Sequence, residues 1–278
     1  MVLQPLLGLL ALPPEEVDIG KVVRLVSYDN TIAAQCLRVA GSPLFGLSDP
    51  PKSVAAAVVL LGVRRVESIL LTCCMNQALP TKKSALDPTV FWKHSLGCAM
   101  VCRKFSEKLG IADPEKFYAA GLLHDIGFLV NSLIAPDEFS AAVKRAKEDQ
   151  IPLDEAEISA LGFTHCESGQ ALAEQWRLAD EITQVIAYHH TPERCPKPQT
   201  VVALVHLSDL MCRMRGLDYG YYERQKVALM SDPAWEMLAQ ENKKLAEIDL
   251  ELFTFELDDA IGEICQLVGM ILGKAGAV

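Results

Sequence analysis

Apolar positions recur at the three-and-four spacing of helices wherever this chain shows a clear pattern. Val17, Ile19, Val22, Val23 and Val26 share a face in 15–27, and Ile32, Cys36 and Val39 repeat the pattern in 31–40. Asp87-Pro88 and Asp113-Pro114 each have the form of an N-cap followed by a first-turn proline. The first pair predicts a helix ending near Gly110, and the second predicts one carrying Ala119 to Ile134. Further helices are expected over 136–149, 165–177, 180–190, 199–214, 233–247 and 257–273. The run 54–62 is ambiguous because Val54, Val58 and Val59 are β-branched, but Ala55-Ala56-Ala57 favours helix. Alternating strand patterns bounded by Asn-Gly or Asp-Gly turns are absent, so the predicted fold is predominantly α.

The chain has 278 residues, half of them hydrophobic and 22% charged. That composition supplies a substantial core and excludes disordered, collagen-like and fibrous classes. A formal net charge of −10 argues against a generic nucleic-acid or anionic-membrane partner, because phosphate surfaces demand excess Lys and Arg. Nine cysteines, with Cys73 and Cys74 adjacent, show no disulfide spacing, and free thiols in a reducing cytoplasm are expected. Residues 1–12 are largely apolar, but the first basic residue is Lys21, which does not suit a secretory signal. Apolar runs are shorter than the roughly 18–20 residues of a membrane helix. A cytoplasmic location is expected.

Charge then divides the chain. Residues 1–84 carry a net +2 and no histidine, whereas the remainder carries −12 and all six histidines. The shift near 80–87 suggests an N-terminal helical part (1–84), a histidine-bearing core (85–215) and a C-terminal helical extension (216–278). Histidine-based metal or acid–base chemistry must then lie beyond residue 84.

The histidines are His94, His124, His165, His189, His190 and His206. His124 precedes Asp125 directly, His189 and His190 are paired at the end of an apolar helix, and Asp209 lies three residues after His206. Imidazole and carboxylate donors together suit Fe, Mn, Zn, Co or Ni rather than Ca. A lone histidine on an apolar helix is commonly a hydrogen-bonded core residue, and an adjacent His-Asp pair arises by chance. Asp125 stands apart, because Leu122, Leu123, Ile126 and Phe128 around it predict burial. A buried carboxylate needs a cationic partner, a metal or a protonated histidine.

Read in order, His94, His124-Asp125, His165, His189-His190 and Asp209 resemble the H…HD…H…HH…D pattern of the HD superfamily of metal-dependent phosphohydrolases. The local strings are closer to its HDOD branch. These are "LRVAGSPLFGL" (37–47), "SVAAAVVLLGVRRVESILL" (53–71), "AAGLLHDIG" (119–127), "HCESGQALAEQW" (165–176), "ADEITQVIAYHHTP" (179–192) and "LVHLSDLMCR" (204–213). The resemblance covers about residues 10–215 and implies an all-α fold, an HD-type helical bundle with an N-terminal helical HDOD subdomain. Carried over by position, His94, His124, Asp125 and Asp209 match the ligands of a first metal. Asp125 would bridge to a second, completed by His165 and His189. His190 matches a histidine that lies near substrate or a further metal in related diguanylate phosphodiesterases.

The chain departs from those phosphodiesterases at three places. Phe128 stands where they carry a phosphate-contacting lysine, and Thr191-Pro192-Glu193-Arg194-Cys195-Pro196 replaces a Gly-Tyr-Pro loop. Val90 occupies the position a carboxylate for a third metal would need. Arg194 and Lys197 could clamp a phosphoryl group, but a solvated loop accounts for both. Cys98 and Cys102 read as core fillers, Cys166 as incidental, and Arg64 and Arg65 as helix-end or solvent-facing residues.

Two functions follow from the resemblance. One is a regulatory, signal-transducing HDOD protein that retains one or two divalent ions (Fe, Mn, Ni or Zn) and answers to a protein partner or a phosphorylated small molecule. The other is a metal-dependent phosphohydrolase acting on a nucleotide, cyclic nucleotide or cyclic dinucleotide through a metal-activated hydroxide, with Asp125 and Asp209 fixing the ions and His190 contacting substrate or leaving group. The first is favoured, because the lysine and the loop are missing.

Overall fold

The computed structural model describes residues 3–10, 12, 14–27, 29–42, 45–78, 87–197, 200–221 and 229–272, and every regular element among them is helical. Residues 80–86 of the expected boundary, residues 43 and 44 of the first signature string, and positions 199 and 273 lie outside the described residues. Contacts group the chain into two compact units, Met1–Leu79 with Gly262–Val278, and Pro80–Ile261.

The first unit contains α1 (Leu3–Leu10), α2 (Ile19–Ser27), α3 (Asn30–Ala40), α4 (Val54–Leu61) and α5 (Val63–Ala78), with the end of the last helix. Asp29 caps α3 by accepting the Thr31 and Ile32 N–H groups at 2.9 and 3.1 Å. The ambiguous run 54–62 is helical, with the Ser53 hydroxyl accepting from the Ala56 N–H at 3.1 Å. Gly62, at φ +85°, lets the chain leave α4 and enter α5 with no further linker. Leu6, Val22, Ile32, Val66, Leu70 and Met75 fill the core. Arg64 pairs with Glu67 and donates to the Leu9 and Leu12 carbonyls, so it closes the end of α1. The last helix is closed similarly, as the Gln35 and Asn76 amides donate to the Ile271 carbonyl at 2.9 and 3.1 Å.

The second unit holds α6 (Pro88–Lys108), α7 (Pro114–Leu123), α8 (Ile126–Ile134), α9 (Pro136–Glu148), α10 (Leu153–Leu161), α11 (His165–Gln175), α12 (Asp180–Tyr188), α13 (Thr200–Met214), α14 (Pro233–Glu241) and most of α15 (Leu250–Ile271). At its centre α6 packs on α7 and α13, α12 meets α7 and α13, and α11 contacts both α8 and α12. Helix α6 buries Phe91, Trp92, Leu96 and Phe105 completely. Its start is as predicted, with the Thr89 N–H donating to the Asp87 carboxylate at 2.7 Å. Helix α11 opens with a reciprocal capping box between Thr164 and Glu167.

Several expectations need correction. Asp113 adopts a left-handed backbone at φ 55° and makes no side-chain cap, although Pro114 does begin α7. The single helix expected through Ala119 to Ile134 is two, α7 and α8, broken at His124 and Asp125. The helix expected over 233–247 stops at Glu241 and continues as a short 3₁₀ turn, Lys243–Glu247. The last helix begins at Leu250, seven residues earlier than its apolar stripe suggests. Helices α1, α5 and α10 were not anticipated. The stretch Pro114–Ile134 is long and apolar enough to cross a membrane by composition, contrary to the expectation from run length, but most of it is buried within the protein.

Candidate functional site

The break between α7 and α8 creates the site. Adjacent side chains on a continuous helix diverge by about 100°. Here α7 ends at Leu123 and α8 restarts at Ile126, so His124 and Asp125 both enter the interior. Gly127 makes the approach possible, since an added Cβ would lie 1.8 Å from the His165 carbonyl oxygen at the start of α11.

Four imidazoles are held in one orientation. His94 donates from Nδ1 to the Leu217 carbonyl at 2.6 Å, and His124 to the Gly121 carbonyl at 2.7 Å. His189 Nδ1 lies 3.2 and 3.1 Å from the Val185 and Ile186 carbonyls. His165 Nδ1 donates to Glu157 Oε2 at 2.7 Å. In the neutral ring a proton on Nδ1 leaves Nε2 with a lone pair for a metal, and the four Nε2 atoms converge on Asp125. His124 and His94 face its Oδ2 at 3.0 and 3.5 Å, while His189 and His165 face Oδ1 at 3.2 and 3.7 Å. Asp209, from α13, reaches His94 Nε2 at 3.3 Å.

Three residues steady the arrangement from outside. Glu157, fully buried, also accepts the His165 backbone N–H at 3.0 Å and the Asn131 amide at 3.0 Å. The Tyr219 hydroxyl donates to Asp125 Oδ2 at 2.9 Å, and its ring lies 4.5 Å from that of His94. Arg213, one turn after Asp209, forks onto that carboxylate through Nε at 2.9 Å and through Nη2. Arg213 Nη2 also lies 3.4 Å from His190 Nδ1.

Charge is distributed unevenly over the cluster. Burial disfavours ionised Asp125, yet His124 and His189 hold its carboxyl well below the usual range. Asp209 is likewise depressed against burial, by Arg213 and His94. Burial also opposes charge on His94, but Asp209 and Asp125 carry it up to about 9. His189 rises to about 10 against burial through Cys166 and Asp125. His124 is lowered by burial, and His190 is held well below its ordinary value by burial, His189 and Arg213. The Cys166 thiol is drawn down to about 6, burial being outweighed by His165 and His189.

The donor set fits a metal. Asp125 Oδ1 and His189 Nε2 are almost wholly buried and are not aligned as a hydrogen bond despite their 3.2 Å separation, so both stay unsatisfied. Among the described residues three groups bring one donor atom each within 4.8 Å of one another. They are His94-Cys98-His124-Asp209, His124-Asp125-His189, and His165-Cys166-His189-His190. A cluster of this kind could hold a metal ion.

Every sequence-predicted site residue, His94, His124, Asp125, His165, His189, His190 and Asp209, lies in this one cluster. His206 stands outside it, linking the His189 carbonyl at 2.6 Å to Asp232 at 3.2 Å. Arg194 and Lys197 are exposed on the loop after α12. Phe128 is fully buried with its ring 4.3 Å from that of His165, an apolar wall. Sequence reasoning missed Glu157, Tyr219, Leu217 and Arg213. Only Arg213 left a signal, the i,i+4 spacing from Asp209 on one helix. It also dismissed Cys166, whose Sγ lies 3.6 Å from His165 Nε2.

Comparison with known proteins agrees with the helical architecture. The HDOD domain family model matches residues 6–192. The crystal structure of an HDOD domain protein of unknown function from Geobacter sulfurreducens is 32% identical, with TM-score 0.84 over 97% of this chain and 91% of that one. A candidate phosphohydrolase from Shewanella amazonensis SB2B shares the fold at 21% identity and TM-score 0.74, over 97% and 93% of the two chains. An uncharacterised protein from Treponema pallidum is 23% identical over 191 residues, 67% of this chain and 36% of that protein. The chain thus spans about a third of the length of that relative.

Proposed function

Because this chain belongs to the HDOD family, we propose that it is a signal-transduction protein whose His/Asp cluster binds one or two divalent transition-metal ions. Its helical surface would answer to a protein partner or a phosphorylated small molecule. The convergence of four Nε2 atoms on the two oxygens of Asp125 carries the reading. His94, His124, Asp125 and Asp209 would hold a first ion, and Asp125, His165 and His189 a second. Iron, manganese, nickel and zinc are the candidates the donors accommodate. The acidic chain, at −10, gives a nucleic acid or an anionic membrane no attraction.

Two features support regulation over turnover. Phe128, at the sequence position where the resemblance to diguanylate phosphodiesterases implies a phosphate-contacting lysine, is a fully buried ring packed on His165. Arg213 is committed to Asp209. A second reading, a phosphohydrolase for a nucleotide or cyclic dinucleotide, is favoured by one observation. Arg213 and His190 lie together on the half-buried side of the cluster, where a phosphoryl group could meet a guanidinium. A bound metal would supply Lewis acidity to such an ester. Arg213 would then orient the phosphoryl oxygens, and the neutral His190 beside it would contact the substrate or its leaving group.

Metal analysis of freshly purified protein, compared with His124→Ala, tests the reading. Up to two equivalents lost in the variant are expected. No metal in either protein, even after loading with iron or manganese, would overturn it. The loaded protein is then offered bis(p-nitrophenyl) phosphate. Metal retained without hydrolysis supports regulation, and hydrolysis lost in Arg213→Ala supports the phosphohydrolase.

A further inference from the structure

We propose that the second metal position is a thiolate site, in which His165, Cys166, His189 and His190 bind a zinc-type ion and Cys166 decides its identity. The inference rests on the metal-centred reading above and fixes the donor chemistry of one half of the centre.

Coordination number is the first argument. The first position has four nitrogen and oxygen donors in His94, His124, Asp125 and Asp209. The second has only His165 and His189 of its own, Asp125 being shared with the first, so it has room for two further ligands. The chain places two there. Cys166 Sγ is 3.6 Å from His165 Nε2 and 4.0 Å from the His189 ring at Nδ1, and His190 Nε2 is 3.0 Å from His165 Nε2. One donor atom from each of the four residues lies within 4.8 Å of every other.

Bond lengths make the second argument. Zinc–nitrogen bonds of about 2.0–2.1 Å and a zinc–sulfur bond of about 2.3 Å separate tetrahedral ligand atoms by about 3.3 Å for N···N and about 3.6 Å for S···N. The separations of 3.0 Å between His165 and His190 and 3.6 Å between Cys166 and His165 are close to those values. His189 Nε2, fully buried and 3.2 Å from Asp125 Oδ1, makes no aligned hydrogen bond to it, and a cation held between the two would satisfy both. Access is open too, because Cys166 and His190 are half-buried while the ligands of the first position are closed off.

Thiolate softness then separates the two positions. A Cys/His set selects zinc over manganese, whereas the His/Asp set of the first position suits iron or manganese. The centre would be asymmetric, with a hard half built on α6, α7 and α13 and a soft half built on α11 and α12.

Cobalt(II) reports the difference, since thiolate ligation gives a charge-transfer band in the near ultraviolet that nitrogen and oxygen ligands do not. Metal-free full-length protein is titrated with cobalt, as wild type, Cys166→Ser and Cys98→Ser. Cys98 is the control because its Sγ lies 3.7 Å from His94 Nε2 in the other group. The band is expected in wild type and Cys98→Ser and is expected to vanish in Cys166→Ser, with the visible cobalt bands of the first position retained. Cobalt bound without the band, or a band lost only in Cys98→Ser, would overturn the thiolate site and leave the metal centre standing. No cobalt binding at all would overturn both. Should Cys166→Ser fail to fold, wild-type protein decides the matter. Zinc should block alkylation of Cys166 by iodoacetamide, read by mass spectrometry, and unchanged alkylation would refute the ligand.

Discussion

Asp125 has two carboxylate oxygens and four imidazole nitrogens around them, a pair to each oxygen. Its removal should therefore undo both halves of the centre. In Asp125→Ala, metal content is expected to fall to background by elemental analysis, and full occupancy would show that the histidines suffice. Glu157 acts one step back. Its carboxylate accepts the hydrogen bond from His165 Nδ1, which fixes the tautomer and raises the basicity of Nε2. Glu157→Gln keeps the shape and removes the charge, so affinity for the second ion should drop about 10- to 100-fold while the first is unchanged. A two-step metal titration reads this, and equal weakening of both steps would refute the division of ligands. The ligands themselves were legible in the sequence as an ordered His/Asp pattern. Glu157 and Tyr219 were not, because nothing local marks a carboxylate eight residues from His165 or a tyrosine 94 residues from Asp125 as neighbours.

Helices α7 and α8 show why element type was easier to read than element continuity. An amphipathic helix advertises its period through its exposed face. The segment 119–134 is apolar nearly all round, and a buried helix has the same sequence pattern whether it runs straight or breaks. The same difficulty hid α5, which is buried from Val66 to Met75. Helix α10 was missed for a different reason, as LDEAEISAL is short and only weakly periodic. The packing of α8 on α11 beside the break needs Gly127, where an added Cβ would lie 1.8 Å from the His165 carbonyl oxygen. An added methyl meets backbone rather than a movable side chain, so Gly127→Ala should cost about 3 kcal/mol, the upper part of the overpacking range. Denaturant midpoints compare it with Gly262→Ala, where a Cβ meets nothing within 4 Å. Comparable midpoints would mean that α8 and α11 slide apart freely.

At the scale of the whole molecule, the cluster couples folding to protons and metal. His94 and His189 have raised values, to about 9 and about 10, so their contribution is full below about 6.5, their value when unfolded, and is lost as the pH climbs towards those figures. His124 and His190 are lowered and so favour the folded state less and less as the pH falls below about 6.5. Asp125 and Asp209, both depressed, add stability above the ordinary carboxylate range that is lost on further acidification. Cys166, drawn down to about 6 from about 9, opposes the alkaline fall, but His165, also raised, joins His94 and His189. Three falling groups outweigh one, so the stability maximum of the metal-free protein lies near pH 6.5. Metal should alter both sides. An ion takes the imidazoles in their neutral form, so loading should remove the alkaline fall and steepen the acid fall, while adding about 4 kcal/mol at a thousandfold excess over its dissociation constant. Urea denaturation of chelated and loaded protein across pH 4.5–9.5 measures both effects. A chelated protein whose stability rises steadily to pH 9 would contradict the protonation assigned to His94 and His189, and an alkaline fall persisting after loading would mean that the ion does not bind these nitrogens.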